Sequence, residues 1–190
     1  MKFISKLKNI LFHPNAFWSD VYDEKGIKET LVYLIILMNL SAILYFLIVF
    51  ISLNFAKSSG DLGLPVVIRL LGNTISVFFP LFLGTFLTSA LLHLFIKMFK
   101  GKGTFAETYK AVGYSVTPKA VGYIVTPFSW LMGMRVVNLF ILIYGLYLQS
   151  LGVSKLHQIS MGKAILASVL ADIIIYVPLS FLIAFGMNVM

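Results

Sequence analysis

The sequence predicts an all-α integral membrane protein, a bundle of five transmembrane helices with a short N-terminal interfacial helix. Three observations lead there. Of the 190 residues 59% are hydrophobic and only 12% are charged, against about 25% charged in soluble proteins. Apolar stretches near the roughly 20 residues needed to cross a bilayer recur through almost the whole chain. They leave no segment of about 50 residues for a separate soluble domain, so residues 1–190 read as one membrane domain. Finally, lysine-rich and lysine-poor connections alternate, the bias that orients membrane helices.

The elements follow in order. Phe3, Ile4, Leu7, Ile10 and Leu11 fall on one side of a helix, with Lys2, Lys6 and Lys8 on the other. This pattern suits a helix lying on the membrane surface. The interleaved lysines leave no continuous apolar core of the kind a signal peptide needs. Pro14 stops or turns this helix, and Trp18 and Tyr22 place a second short surface helix in the headgroup zone. Span one covers about 30–52 and carries Asn39; the polar stretch 54–63 makes an outer loop. Residues 65–71, with Arg69, form either a short interfacial helix or the first turns of span two. Span two covers about 74–97, with a kink expected at Pro80 and with Thr88, Ser89 and His93 in its second half. The basic loop 97–110 follows, where Thr104 and Glu107 have the spacing of a capping box. Span three, about 108–131, contains Gly113, Pro118, Lys119, Gly122 and Pro127; spans four and five cover about 135–152 and 163–187.

Eleven lysines fall before span one, between spans two and three, and between spans four and five; Lys57, Arg69 and Arg135 fall on the other side. The N-terminus is therefore expected in the cytoplasm and the C-terminus outside. The net charge of +8 is dispersed between apolar spans, which points to the bilayer and its anionic headgroups and away from nucleic acid. Lys97, Lys100, Lys102 and Lys110 are the expected headgroup-facing residues.

Two ionisable side chains lie deep in the spans. Lys119 and Asp172 each sit roughly nine residues, or about 13 Å, from the cytoplasmic ends of their helices. A charge at such depth costs a few kcal/mol and favours a partner, so an intramembrane Lys119–Asp172 pair is expected. The alternative is a snorkelling Lys119 and an Asp172 held by a neighbouring hydroxyl. Asn39, Thr88 and Ser89 fall near the same level and complete a polar layer. Ala164, Ser168 and Asp172, flanked by Ala167 and Ala171, form a small-residue stripe that permits close helix approach. The near-repeat GYSVTPKAV and GYIVTPFSW puts prolines at 118 and 127. Each proline removes a backbone donor and either breaks the helix or kinks it, with Thr117 and Thr126 relieving the loss.

Catalytic chemistry is not indicated. There is no cysteine. His13, His93 and His157 are separated along the chain and in expected depth, with no HExxH, so neither a metal site nor a cofactor is predicted. Ser115 has no base placed for it, and KMFKGKGTFAE lacks the spacing of a phosphate loop. The expected role is non-enzymatic, exercised through a membrane-protein partner, lipids or a second copy of the chain. The alternative is a small transporter or channel using Lys119, Asp172 and a broken third span.

Gly113-Tyr114-Ser115-Val116-Thr117-Pro118 resembles the GYxxxP signature of the Yip (Ypt-interacting protein) domain family. The FHPNAFW segment, the GKGTFAETYKAVGYS passage and the HQISMGKA stretch before the last span are similar to the short prokaryotic members. The resemblance implies five spans, a cytoplasmic N-terminus and a role in membrane organisation or trafficking. Eukaryotic members bind prenylated Rab GTPases and carry a DLYGP motif before span one. Here the similar Asp61-Leu62-Gly63-Leu64-Pro65 follows span one, so that role is not carried over.

Overall fold

The structure is a computed structural model that describes residues 2–56, 72, 83–122 and 134–187. All regular structure among these residues is helical. In chain order the helices are α1 (Phe3–Phe12), α2 (Pro14–Tyr22), α3 (Lys28–Ala56), α4 (Leu83–Met98), α5 (Phe105–Ser115), α6 (Thr117–Gly122), α7 (Met134–His157) and α8 (Met161–Met187). Residues 57–63 of the expected outer loop 54–63, residues 65–71, the Pro80 kink and the second proline break at Pro127 lie outside the described residues, and residues 54–56 of that loop instead continue α3.

Two described helices, Lys28–Ile51 and Val136–His157, are long and apolar enough to cross a membrane, and Leu83–Met98 is a shorter apolar helix. They correspond to expected spans one, four and the second half of two. α8 has 27 residues, enough for about 40 Å at 1.5 Å per residue, and contains expected span five.

Local sequence explains the boundaries. α1 ends at Phe12, and Pro14 occupies the first turn of α2, where its missing N–H removes no helical bond. The capping box opens α5 as expected: the Thr104 hydroxyl donates to Glu107 Oε2 at 2.6 Å, and the Thr104 amide donates to the same carboxylate. α5 and α6 meet at Val116, directly before the first proline.

α7 is the centre of packing, with α2, α5, α6 and α8 against it. Ala164, Ala167, Ser168 and Ala171 are all fully buried, so the predicted small-residue stripe is the face that lets α8 lie close to α7. Gly152 does the same for α2. A Cβ at Gly152 would stand 2.7 Å from Trp18 Cζ2 and 2.8 Å from Cη2, so the Trp18 ring, itself fully buried, lies flat on bare backbone.

The N-terminal helix departs from the expected arrangement. Ile10 is fully buried, but Ile4 is 75% exposed, and Lys6, assigned to the polar face, is only 4% exposed. α1 therefore does not simply float with its apolar residues in lipid. It packs on α2 and α6 and turns one lysine inward.

Gly152→Val forces branched methyls into the Trp18 ring, and overpacking of this kind costs about 1–3 kcal/mol. Thermal unfolding of the purified protein in detergent should show a clearly lower midpoint than wild type; an unchanged midpoint would contradict the packing described.

Candidate functional site

The inward lysine leads to a side-chain cluster that joins four elements of the described structure. Lys6 Nζ lies 2.5 Å from Glu24 Oε1 and 2.7 Å from Glu29 Oε2, and it donates to the Tyr114 hydroxyl at 2.9 Å. That hydroxyl donates in turn to Glu24 Oε2 at 2.8 Å. Four elements thus meet at one ammonium: α1 supplies the cation, the α2–α3 connection and the start of α3 supply the carboxylates, and α5 supplies the phenol. Burial alone would lower the Lys6 pKa, but hydrogen bonds to Glu24, Glu29 and Tyr114 outweigh it and hold the group above the usual lysine range. A raised folded-state value means that the contribution is fully present below the unfolded pKa of about 10.4. It is lost only as pH rises through the still higher folded value, so the cluster is intact across the neutral range.

The packing around Tyr114 is aromatic. Phe17 meets its ring edge-on at 5.0 Å and 87°, Tyr33 lies at 5.0 Å, and Trp18 at 6.2 Å. Next to it Gly113 brings α5 against α3, since a Cβ there would stand 2.6 Å from Thr30 Cγ2. Pro118 lacks the N–H that would bond the Tyr114 carbonyl four residues back. The Thr117 hydroxyl takes that carbonyl at 2.6 Å, which is the relief expected of Thr117. Its single proton is then used, so in the 2.8 Å contact with Tyr33 the tyrosine donates. Gly113, Tyr114 and Pro118 are all buried.

Lys110 departs from its expected place. It is 2% exposed, with Nζ donating to the carbonyls of Val21 at 3.4 Å and of Glu24. A cation satisfying the last carbonyls of α2 serves the helix terminus instead of a headgroup. Lys97 folds back on the loop carbonyls of Gly101 and Gly103. Lys100 and Lys102 are exposed.

The three histidines also depart from expectation, because His93 and His157 come together. Thr108 Oγ1 lies 2.8 Å from His93 Nδ1 and 3.0 Å from His157 Nε2, so one hydroxyl bridges α4 and α7. His157 is fully buried, and the backbone of Gly103 lies against its ring so closely that a Cβ would fall 2.4 Å from Nδ1. Among the described residues no group of three or more His, Cys, Asp or Glu side chains has the proximity to hold a metal.

The expected polar layer is only partly assembled. Thr88 and Ser89 are buried, with Ser89 donating to the Thr85 carbonyl at 2.6 Å. Asn39 is not part of the layer: it is exposed and donates to the Ile35 carbonyl of its own helix at 2.7 Å. Lys119 on α6 and Asp172 on α8 are each partly buried. The Asp172 carboxylate feels the Lys119 charge and is approached by the Gln149 amide of α7.

The sequence reading passed over Lys6, Glu24, Glu29 and Tyr33. A signal was present for one of them, since Phe3, Lys6 and Ile10 share the helical spacing of a single face. The pairing with carboxylates from another segment had no local signature.

Long apolar helices, packed through small residues and tied by buried polar side chains, define an all-helical integral membrane protein. Within that class the chain belongs to the Yip1 domain family, whose model matches residues 8–182. No curated protein and no solved structure gives a significant match.

Lys6→Met leaves Glu24 largely buried without its cation, which costs about 3–5 kcal/mol. Tyr114→Phe removes two hydrogen bonds and costs about 1–3 kcal/mol. Because both act on one cluster, denaturation of the double variant should fall short of the sum of the single losses. Strict additivity would mean that the ammonium and the phenol do not cooperate.

Proposed function

We propose that the protein is a non-enzymatic, five-span membrane protein acting through contacts with other membrane proteins or lipids, in membrane organisation or trafficking. Its N-terminus lies in the cytoplasm and its C-terminus outside, in a prokaryotic plasma membrane. One observation carries this reading: the family signature residues Gly113, Tyr114 and Pro118 are buried and engaged in helix packing and backbone repair. They secure a scaffold and present no reactive group. Membership of the family supports the membrane-protein partner, and the exposed Lys100 and Lys102 support contact with anionic headgroups.

A second reading, a transporter or channel pathway, is favoured by the surroundings of Asp172. Lys119 and Gln149 act on it, and Ser150 Oγ and Ser168 Oγ are buried on the packed helices α7 and α8 without hydrogen-bond partners. Such groups are characteristic of intramembrane polar pathways.

Crosslinking in native membranes, followed by affinity capture and mass spectrometry, separates the two. The first reading expects reproducible membrane-protein partners that survive Lys119→Ala and Asp172→Ala. Recovery of no partner, with ion flux in liposomes abolished by either substitution, would reverse the order. The same variants test the intramembrane pair. If Lys119 and Asp172 interact directly, their combined stability loss should deviate from additivity by about 0.5–3 kcal/mol.

A further inference from the structure

The edge where α1 meets the first turns of α3 carries a groove of about 490 Å³, lined by Phe3, Lys6, Lys28, Glu29, Val32, Tyr33 and Ile36. Its chemistry changes along its length. At one end Lys28 and Glu29 are adjacent and exposed. Further along α3, Val32 and Ile36 are 48% and 42% exposed, and Leu40, Ile43 and Leu47 continue the apolar stripe at helical spacing. Glu29 also borders a second hollow of about 480 Å³, whose other lining residues are Asp20, Asp23, Glu24 and Lys25, so that acidic side chains predominate there. Although Glu29 Oε2 accepts from Lys6, its side chain remains 53% exposed, and a carboxylate has about four acceptor positions. A molecule lying along this edge therefore meets carboxylates with Lys25 among them, then the exposed Lys28 ammonium, then an apolar track, while the Lys6 ammonium beneath is engaged by Glu24 and Glu29.

We propose that this groove binds a phospholipid whose headgroup carries both a phosphate and a primary ammonium. The phosphate sits at the Lys28 ammonium, the lipid amine donates to Glu29 and the acidic hollow beyond it, and one acyl chain follows Val32 and Ile36. Charge complementarity selects this occupant. A headgroup with a phosphate alone meets the Lys28 cation but leaves its remaining surface against Asp20, Asp23 and Glu29, which outnumber the one lysine of that hollow, Lys25. A quaternary ammonium has the right charge but no N–H to give to the carboxylates. The Val32 to Ile36 track then follows from burial of an apolar chain against apolar side chains at the level where α3 enters the bilayer. The inference rests on the membrane-scaffold reading given above and assigns one lipid class to it.

The full chain in detergent is offered phosphatidylethanolamine, phosphatidylcholine and phosphatidylglycerol of identical acyl composition, and retained lipid is measured by native mass spectrometry. Phosphatidylethanolamine should be retained about tenfold over the other two, the effect of one charge-assisted hydrogen bond. Lys28→Glu should remove about tenfold of that retention, and Val32→Trp, which fills the groove, should remove it as well. Leu139→Trp, on an exposed face of α7 away from the groove, should not. Equal retention of all three lipids, or retention unaffected by both groove variants, overturns the proposal. So does dimer formation through α3 that Val32→Trp abolishes, since the groove then belongs to a second copy. Partner capture with the same variants keeps the two readings apart: partners recovered without lipid selectivity leave the scaffold standing and remove only this site.

Discussion

A lysine ammonium taken out of water needs negative partners within hydrogen-bonding reach, because burying it alone costs several kcal/mol. Lys6 meets that requirement with Glu24, Glu29 and the Tyr114 phenol. Much of the surrounding geometry follows from it. α1 has to rotate so that Lys6 points inward, which turns Ile4 outward and sets Ile10 into the core. The connection after α2 has to bring Glu24 over the α5 tyrosine, and Lys110 keeps it there through the Val21 and Glu24 carbonyls. With Lys6 tied to Glu24 and Glu29 and Lys110 tied to the carbonyls at the end of α2, the short N-terminal helices become a fixed part of the bundle.

The legible parts of this structure are those governed by local chemistry. The Thr104–Glu107 cap, the turn at Pro14 and the small-residue face of α8 each depend on residues within a few positions of one another, and each is found where the sequence puts it. The parts that were missed depend on distant residues meeting. Lys6 and Lys110 look like surface lysines because membrane-adjacent lysines usually are. Only Glu24 and the carbonyl ends of α2 make burial favourable, and these are brought near by the tertiary fold. His93 and His157 read as isolated because depth was counted along separate spans. The loop Gly101–Gly103 draws their helix ends together, with Lys102 N–H bonding the His157 carbonyl at 3.1 Å. Asn39 fails in the opposite sense. A polar side chain on an apolar helix suggests an inward layer, yet its own helix offers the Ile35 carbonyl, and a local bond removes the need for a partner across the bundle.

The Thr108 bridge ties α4, α5 and α7 through a single hydroxyl. A hydroxyl has one proton and two lone pairs. If it donates to one imidazole, the other must donate to it; because the contacting nitrogens are Nδ1 of His93 and Nε2 of His157, the two neutral rings then hold the same tautomer. Gly103 and Gly101 are required beside them for steric reasons, since a Cβ at 103 would strike the His157 ring and one at 101 would fall 2.4 Å from Ile96 Cγ2. The glycine-punctuated loop that looks like a flexible, solvated segment is therefore pressed against α4 and α7.

The interruption between α5 and α6 explains why the polar residues gather where they do. Breaking a helix inside a bundle leaves carbonyls that lipid cannot satisfy. Side chains take up the task, with Thr117 on the Tyr114 carbonyl and Ser115 on the Val112 carbonyl at 2.7 Å. Each repair places another polar atom in the interior, and these atoms then attract partners of their own. Tyr33 donates to Thr117, and Gln149 lies 3.4 Å from Ser115 while its amide approaches Asp172. Lys119 follows the proline by one residue, on the same interrupted segment. The polar seam from Tyr33 to Asp172 is thus what a proline-broken helix requires of its neighbours. A transport role would have to be added to that structural one, which is why the scaffold reading takes precedence.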